Sequence, residues 1–438
     1  MLHLAGPIVL AELGWTLMGM VDTVVVGRLP ASADSIAAVS LGSILFFVVA
    51  IFGVGLLLGL DTLVSQAFGA GDRADCHRSL MNALYLAGPL SAILMAVLWG
   101  CVPLLQRLGE RPEVLRLLYP YLITLTWSVF PLLAYFALRR YLQAVNVVRP
   151  VMFALISANA INLAGNFALV FGKWGAPALG VKGSAYATVI SRVYMTAVLA
   201  GALIWSEKPG LHWPLAIDLG RMREILRLGL PAGMQILLET GVFAVAAALL
   251  GRLDSVSLAA HQIALNAASF TFMVTLGIGS AAAVRVGQAL GRQDRESAAV
   301  SGWTAFGIGV AFMACAAVVF WTLPMHLAAV FSPDAEVIRV SISLLFVAGF
   351  FQIFDGTQVV LAGALRGAGD TRTPMYCHFF GYWVVGLPLG YWLCFGRGWG
   401  AVGMWTGLCV ALVLIGSILV VLWWAKVRAW SSERAEVI

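Results

Sequence analysis

Charged residues are scarce in this chain of 438 residues. They make up 11% of it, whereas a soluble globular domain carries about 25%. Hydrophobic residues make up 61%. Apolar runs of about 18 or more residues recur from end to end, and each is long enough to cross a bilayer as a helix. The composition excludes a soluble domain and predicts an all-α membrane protein.

Motifs of enzymes and of nucleotide-driven pumps are also missing. There is no GxxxxGK[ST], HExxH or GxSxG motif, and the six cysteines form no CxxC pair and no zinc spacing. We therefore expect no enzymatic activity, no cofactor and no resident metal. The net charge is +6, but nucleic-acid binding needs a basic patch on a folded soluble surface. The composition predicts no such surface, so we expect no nucleic-acid partner.

The hydrophobic runs predict twelve transmembrane helices. Several exceed the roughly 20 residues needed to cross a bilayer, so we expect them to tilt or protrude. The predicted spans are 5–28, 35–68, 77–106, 113–145, 150–172, 183–205, 220–250, 255–290, 296–330, 337–366, 372–395 and 399–427.

Lysine and arginine predict the orientation. With both termini in the cytoplasm, 17 basic residues lie on the cytoplasmic side and 9 outside, while Arg192 lies within a span. This count includes Arg139 and Arg140 on the cytoplasmic side. We therefore expect a multi-pass protein of the bacterial inner membrane, surrounded by lipid, with both termini cytoplasmic.

Four sequence blocks recur with a nearly constant offset of 222 to 224 residues. "GRL" at 27–29 returns at 251–253, and "SQAFGAGDRADCHRS" at 65–79 returns as "GQALGRQDRESAAVS" at 287–301. Because each half holds an even number of spans, the repeat is parallel, about an axis along the membrane normal. We predict an N-terminal lobe at 1–205, a cytoplasmic linker at 206–219 and a C-terminal lobe at 220–438, with six helices in each lobe.

Five acids lie inside predicted spans, where an ionised carboxylate costs about 2.5–3.5 kcal/mol. Glu239 and Asp355 lie near mid-depth in the second lobe, and Asp22 lies nearer the outer surface in the first. Glu12 and Asp61 lie closer to the cytoplasmic face, where we expect each to pair with a lysine or arginine of a neighbouring helix or to reach water with its side chain. Because Glu239 and Asp355 are able to share one site, either a cation binds between them or one carboxyl group holds a proton.

Uncharged polar residues accompany these acids. Asn162 and Asn166 share a face of the fifth span, and Thr188 lies on the sixth. Their amides and hydroxyl are suited to satisfying a protonated carboxyl or coordinating a small cation, and equally to joining helices. In the eighth span we expect a structural hydrogen bond for His261, with Gln262 and Asn266 as further supporting polar residues.

Several segments resemble the multidrug and toxic compound extrusion (MATE) family in its NorM-type bacterial branch, in order and over the whole chain. They include "GMVDTVVVGRL", "VSQAFGAGD", "GLPAGMQILLE", "AAHQIALNAASF" and "FQIFDGTQVVLAGALRG". The resemblance implies a twelve-helix, two-lobe antiporter in which Glu239 and Asp355 form the second-lobe cation site, occupied transiently by Na⁺ or H⁺. It gives Asp22 the first-lobe role. This chain departs from some relatives at Phe351, where they have Tyr, and at Asn166, where archaeal relatives have Asp.

The resemblance further implies export of small cationic lipophilic drugs in exchange for Na⁺ or H⁺ by alternating access, and we expect a monomer. Two alternatives stay open: a flippase for lipid-linked precursors from the same superfamily, and a membrane-embedded enzyme. The flippase should carry a more cationic cleft, and the enzyme should carry a nucleophile and base at membrane depth.

Overall fold

Helices form nearly the whole of the computed structural model, which describes residues 1–29, 32–107, 111–207 and 216–435. No strand occurs in these ranges. Residues 208–215, most of the predicted linker, lie outside them. The helices are α1 (Leu2–Val26), α2 (Ser32–Leu56), α3 (Gly59–Gly69), α4 (Arg73–Arg107), α5 (Pro112–Thr126), α6 (Val129–Ala144), α7 (Arg149–Phe171), α8 (Val181–Ser206), α9 (Leu219–Leu250), α10 (Ser255–Gly291), α11 (Arg295–Thr322), α12 (Pro324–Phe331), α13 (Ala335–Gly367), α14 (Arg372–His378), α15 (Leu387–Tyr391) and α16 (Gly400–Ala435).

Ten spans in the described ranges are long and apolar enough to cross a membrane. The pair α5 and α6, bent by 44° at its break, brings the number to eleven if it forms one span. Twelve transmembrane helices therefore stays a prediction. Two π-helical segments, Phe379–Gly386 and Trp392–Gly396, interrupt the span that begins at Arg372. Such segments are frequent at functional sites.

The chain folds into two compact units. The N-terminal unit is Leu10–Gly233, and the C-terminal unit is Met1–Val9 with Met234–Ile438. A division at Gly233 lies within α9. The predicted lobe boundaries at 205 and 220 stay a prediction.

In the N-terminal unit, the start of α9 is fixed to α4 by polar contacts. Asp218 accepts a hydrogen bond from the backbone N–H of Arg221 (3.0 Å), and its own N–H donates to Asn82 Oδ1 (2.8 Å). The Arg221 N–H, followed by the Arg78 guanidinium, lowers the pKa of Asp218. Further along α9, a Cβ at Gly229 would lie 1.8 Å from the Leu56 carbonyl oxygen, so only glycine allows this crossing.

Aspartates cap three helices of the C-terminal unit. Asp254 accepts from Ser257 N–H (2.6 Å) at the start of α10, and Asp294 accepts from Ser297 N–H (2.9 Å) at the start of α11. Asp334 accepts from Glu336 N–H (2.8 Å) and begins α13. Each cap satisfies a backbone donor that the helix leaves free.

Close packing of α10 against α13 positions the residues described below. Gly363 and Gly367 form a GxxxG pair on α13, a pattern that lets membrane helices approach closely. A Cβ at Gly363 would lie 2.2 Å from the Gly279 carbonyl oxygen, and one at Gly367 would lie 2.3 Å from the Ala283 carbonyl oxygen. In addition, Gln352 Nε2 on α13 donates to Thr271 Oγ1 on α10 at 2.7 Å.

Gly363→Ala should therefore destabilise the protein. The new methyl group forces backbone apart, and overpacking of this kind costs about 1–3 kcal/mol. The matched control is Gly307→Ala on α11, where no atom lies within 4 Å of the added Cβ. Its stability should stay the same or rise by up to about 1 kcal/mol, because alanine is the better helix former. Thermal melting of both detergent-solubilised variants checks this, and equal melting temperatures would contradict the close crossing.

Candidate functional site

Two buried carboxylate clusters lie on the membrane helices, one within each unit. The Asp22 cluster comprises Asp22 on α1, Asn162 and Asn166 on α7, and Thr188 on α8. The Glu239 cluster comprises Glu239 on α9, Asp355 and Gln358 on α13, His378 at the end of α14, and Gln235 on α9.

Donors reach both oxygens of the Asp22 carboxylate. Asn166 Nδ2 donates to Oδ1 at 2.7 Å, and the Thr188 hydroxyl donates to Oδ2 at 2.8 Å. Asn162 supports both donors, because its Oδ1 lies 3.2 Å from Asn166 Nδ2 and its Nδ2 lies 3.4 Å from Thr188 Oγ1. Asn166 Oδ1 is buried and has no hydrogen-bond partner in the described part of the chain. An acceptor oxygen is therefore free beside Asp22, as a cation ligand would be.

Arg192, the one basic residue predicted deep in a span, does not form an ion pair with Asp22. It lies one helical turn beyond Thr188 on α8, and its Nη1 donates to Ser128 Oγ at 2.5 Å. Its guanidinium also lies 4.4 Å from the centre of the Phe46 ring, a cation–π contact. Ser128 is at the break between α5 and α6, so Arg192 links α8 to that bend.

In the Glu239 cluster, one amide connects the two carboxylates. Gln358 Nε2 lies 2.8 Å from Glu239 Oε1 and 3.3 Å from Asp355 Oδ1. Within the described residues, neither carboxylate forms an ion pair with a lysine or arginine. Asp355 is buried and Glu239 is partly accessible, with 14% of its side chain exposed. The structure thus brings together the two acids that the sequence analysis assigned to one site, and their role stays a prediction.

The basic member of this cluster, His378, was not predicted from the sequence. His378 is fully buried, and its Nε2 lies 2.6 Å from Gln358 Oε1, 3.4 Å from Gln235 Nε2 and 3.9 Å from Glu239 Oε2. A signal for Gln358 was present, because it lies three residues after Asp355 and hence on the same face of α13. His378 gave no such signal, since it lies near the predicted beginning of its span.

The π-helical segment after His378 holds that residue against α9. Trp383 Nε1 donates to the Leu238 carbonyl oxygen at 3.0 Å, immediately before Glu239. Tyr382 is fully buried beside the His378 ring, with the ring centres 5.6 Å apart. The Tyr382 hydroxyl has no hydrogen-bond partner among the described residues, so its oxygen is free next to the Glu239 cluster.

Gln262 and Asn266 are not part of either cluster. Both lie on the exposed side of α10, and the described hydrogen bonds include none from their side chains. The reason is the helix face, because His261, Ala264 and Ala268 fill the buried side of α10. The structural hydrogen bond expected for His261 is confirmed, since Trp405 Nε1 donates to His261 Nδ1 at 3.0 Å.

Glu12 and Asp61 each have an arginine partner on a neighbouring helix, which confirms the pairing expected for them from the sequence. Arg139 Nη2 donates to Glu12 Oε1, and Arg140 Nη1 lies 3.5 Å from Asp61 Oδ2. All four side chains are buried. Facing helices thus supply each arginine with a carboxylate, and the side of the membrane on which Arg139 and Arg140 lie stays a prediction.

Comparisons with known proteins agree with this architecture. A family model described as MatE matches the chain twice, over residues 7–168 and 231–392. A relative named "Probable multidrug resistance protein NorM", from Mesorhizobium japonicum, is 38% identical over 440 residues, covering 98% of this chain and 93% of the relative. A relative of the same name from Pseudomonas aeruginosa is 34% identical and covers 96% of this chain and 88% of the relative. The crystal structure of the eukaryotic MATE transporter AtDTX14 superposes with a TM-score of 0.86 at 23% identity, covering 99% of this chain and 97% of that one, which shows a common fold.

Proposed function

Because this chain belongs to the MATE family, we propose that it is a secondary active antiporter that exports cationic lipophilic drugs in exchange for Na⁺ or H⁺. Members of the family are multi-pass membrane transporters, not enzymes, and the relatives above bear the name of multidrug resistance proteins. The two matches to the family model begin 224 residues apart, which supports the predicted internal repeat. We further propose that the protein acts as a monomer in the bacterial inner membrane, with both termini in the cytoplasm.

This proposal depends on which of the buried acids have a lysine or arginine partner. Glu12 and Asp61 have arginine partners, whereas Asp22, Glu239 and Asp355 have amide and hydroxyl donors and no lysine or arginine partner in the described ranges. A buried carboxylate without a permanent counter-charge gains from binding a cation or a proton. The three acids without such partners are therefore suited to exchange one cation for another.

In the proposed cycle, drug and coupling ion compete for these carboxylates. A coupling ion that enters from outside neutralises the acids and displaces the drug, and its release to the cytoplasm leaves the carboxylates free for the next drug cation. Alternating access then exposes the site to one side of the membrane at a time. For Na⁺, Asn166 Oδ1 supplies a free amide oxygen beside the Asp22 carboxylate.

Ethidium efflux from reconstituted vesicles tests the proposal. We expect efflux under an inward pH gradient alone or an inward Na⁺ gradient alone, and none with ATP when both gradients are collapsed. Asp22→Asn should slow efflux, whereas Glu336→Gln, which changes an exposed acid on α13, should not. Efflux that requires ATP would overturn the antiport proposal. Movement of a lipid-linked pyrophosphate without ethidium efflux would favour the flippase instead.

A further inference from the structure

The hydrogen-bond geometry of the Glu239 cluster limits where its protons reside. His378 Nδ1 lies 2.7 Å from the Pro374 carbonyl oxygen, one turn earlier on α14. A carbonyl oxygen only accepts, so Nδ1 must carry a hydrogen. The question is then whether Nε2, which points at Gln358, carries a second one.

The two carboxylate partners of Gln358 decide whether His378 Nε2 carries this hydrogen. When both carboxylates are ionised they only accept, so the amide NH₂ of Gln358 must face Glu239 and Asp355, and its Oε1 must face His378 Nε2. An oxygen acceptor 2.6 Å from Nε2 requires a hydrogen on that nitrogen. In this arrangement His378 is an imidazolium, and its positive charge offsets one of the two carboxylates.

A second arrangement satisfies the same contacts with a neutral histidine. The Gln358 amide turns by half a rotation, so that its NH₂ donates to the bare Nε2 of His378 and its oxygen faces Glu239. One of the two carboxyl groups must then carry a proton in order to donate to that oxygen, and Glu239 Oε1, at 2.8 Å, lies nearer to it than Asp355 Oδ1, at 3.3 Å. Gln235 Nε2, 3.4 Å from His378 Nε2, is able to donate as well in this arrangement.

We propose that His378 and Glu239 share one exchangeable proton across Gln358, which makes the Glu239 cluster a proton site. The proposal rests on the antiport function above and names its coupling ion at this cluster. In the transfer, the Nε2–H bond of the imidazolium breaks, its electron pair stays on the nitrogen, and an O–H bond forms on Glu239. Imidazolium and carboxylate become imidazole and carboxylic acid, with no change in total charge. Na⁺ is disfavoured because the imidazolium already supplies the positive charge.

In the described part of the chain, no lysine or arginine forms an ion pair with the acids around His378. Glu239 on α9 and Asp355 on α13 are the acids that face it in the described structure, and Tyr382 on its own span contributes a ring contact. Helix α16 also packs near α14, but its Lys426 lies 3.7 Å from Asp370 at the helix end. The proton therefore has two alternative sites, His378 and the carboxylate pair.

His378→Gln tests the inference. Glutamine still reaches Gln358 with one polar group but cannot carry the proton. Proton and drug compete in the wild type, so ethidium affinity should rise with pH, and ethidium binding should release protons that a pH indicator detects. A coupling of this kind typically changes affinity by about 5–150-fold. In His378→Gln we expect the pH dependence to weaken and proton release to fall by at least half, while ethidium still binds.

His261→Gln is the matched control, because it removes another buried histidine of the same unit that bonds to Trp405 outside the cluster. It should keep the wild-type pH dependence. Wild-type proton release from His378→Gln, with loss of release in Glu239→Gln, would overturn the role of His378 and leave the antiport proposal intact. Wild-type behaviour in both variants would instead remove the proposed site.

A measurement on the unmodified protein covers the case in which His378→Gln does not fold. With ¹⁵N-labelled histidine, ethidium binding should convert one imidazolium to neutral imidazole in nuclear magnetic resonance spectra. A histidine spectrum that ethidium leaves unchanged would overturn the inference. Efflux driven equally well by a Na⁺ gradient alone would overturn it too.

Discussion

Glu239→Gln and Asp355→Asn are each expected to lose efflux driven by an ion gradient by about 5–150-fold, the usual range for coupling between two ligands. Each change replaces an acid with an amide of the same shape, which neither binds a proton nor attracts a cation. Helical packing around α13 should be little affected, because each new amide keeps an oxygen that accepts a hydrogen bond from Gln358 Nε2. Ethidium efflux from vesicles under an imposed gradient measures the loss.

The double variant distinguishes one shared site from two independent ones. Because one amide contacts both carboxylates, the acids should act as a unit. The double variant should then lose no more efflux than the more impaired of the two single variants. Losses that multiply would mean that the acids act independently. Glu336→Gln again serves as the exposed-acid control, with its side chain 64% exposed. Wild-type rates in both single variants would remove the site assignment.

The helical fold was largely predictable because it depends on apolar runs, and the runs are continuous in sequence. The breaks within them were not. The bend at Trp127 and Ser128 precedes Pro131, which has no N–H to donate to the Trp127 carbonyl oxygen, and this local signal was not used. The bend holds Ser128 where its hydroxyl accepts from Arg192, on a different helix. The π-helical segment at Phe379–Gly386 contains no proline. The contacts at both breaks, of Ser128 with Arg192 and of Trp383 with Leu238, join residues far apart in the chain.

The candidate site was predictable only in part, for the same reason. A lone acid in an apolar run is visible in sequence, so Asp22, Glu239 and Asp355 were found. Which acids have partners is decided across helices. Glu12 lies 127 residues from Arg139, and His378 lies 139 residues from Glu239, so no spacing within a helix indicates either contact. Only the structure therefore shows which of the buried acids have an arginine partner.

Arg139→Met should be the most destabilising change among the ionic groups, at about 3–5 kcal/mol, because it leaves Glu12 buried without its partner. Arg339→Met is the control. Its ion pair with Glu336 is on the surface, with 78% of the arginine side chain exposed, so its stability should change by at most about 1 kcal/mol. Denaturant unfolding of the solubilised variants measures both. Equal losses would show that Glu12 and Arg139 do not depend on one another.

The double variant Glu12→Gln with Arg139→Met should recover most of that stability, since no unpaired charge then remains in the core. It should also transport ethidium at the wild-type rate, because neither residue is free to exchange its counter-charge for a drug or a coupling ion. That outcome separates the two kinds of buried acid in this protein. A stable double variant without transport would contradict the separation and would add Glu12 to the coupling residues.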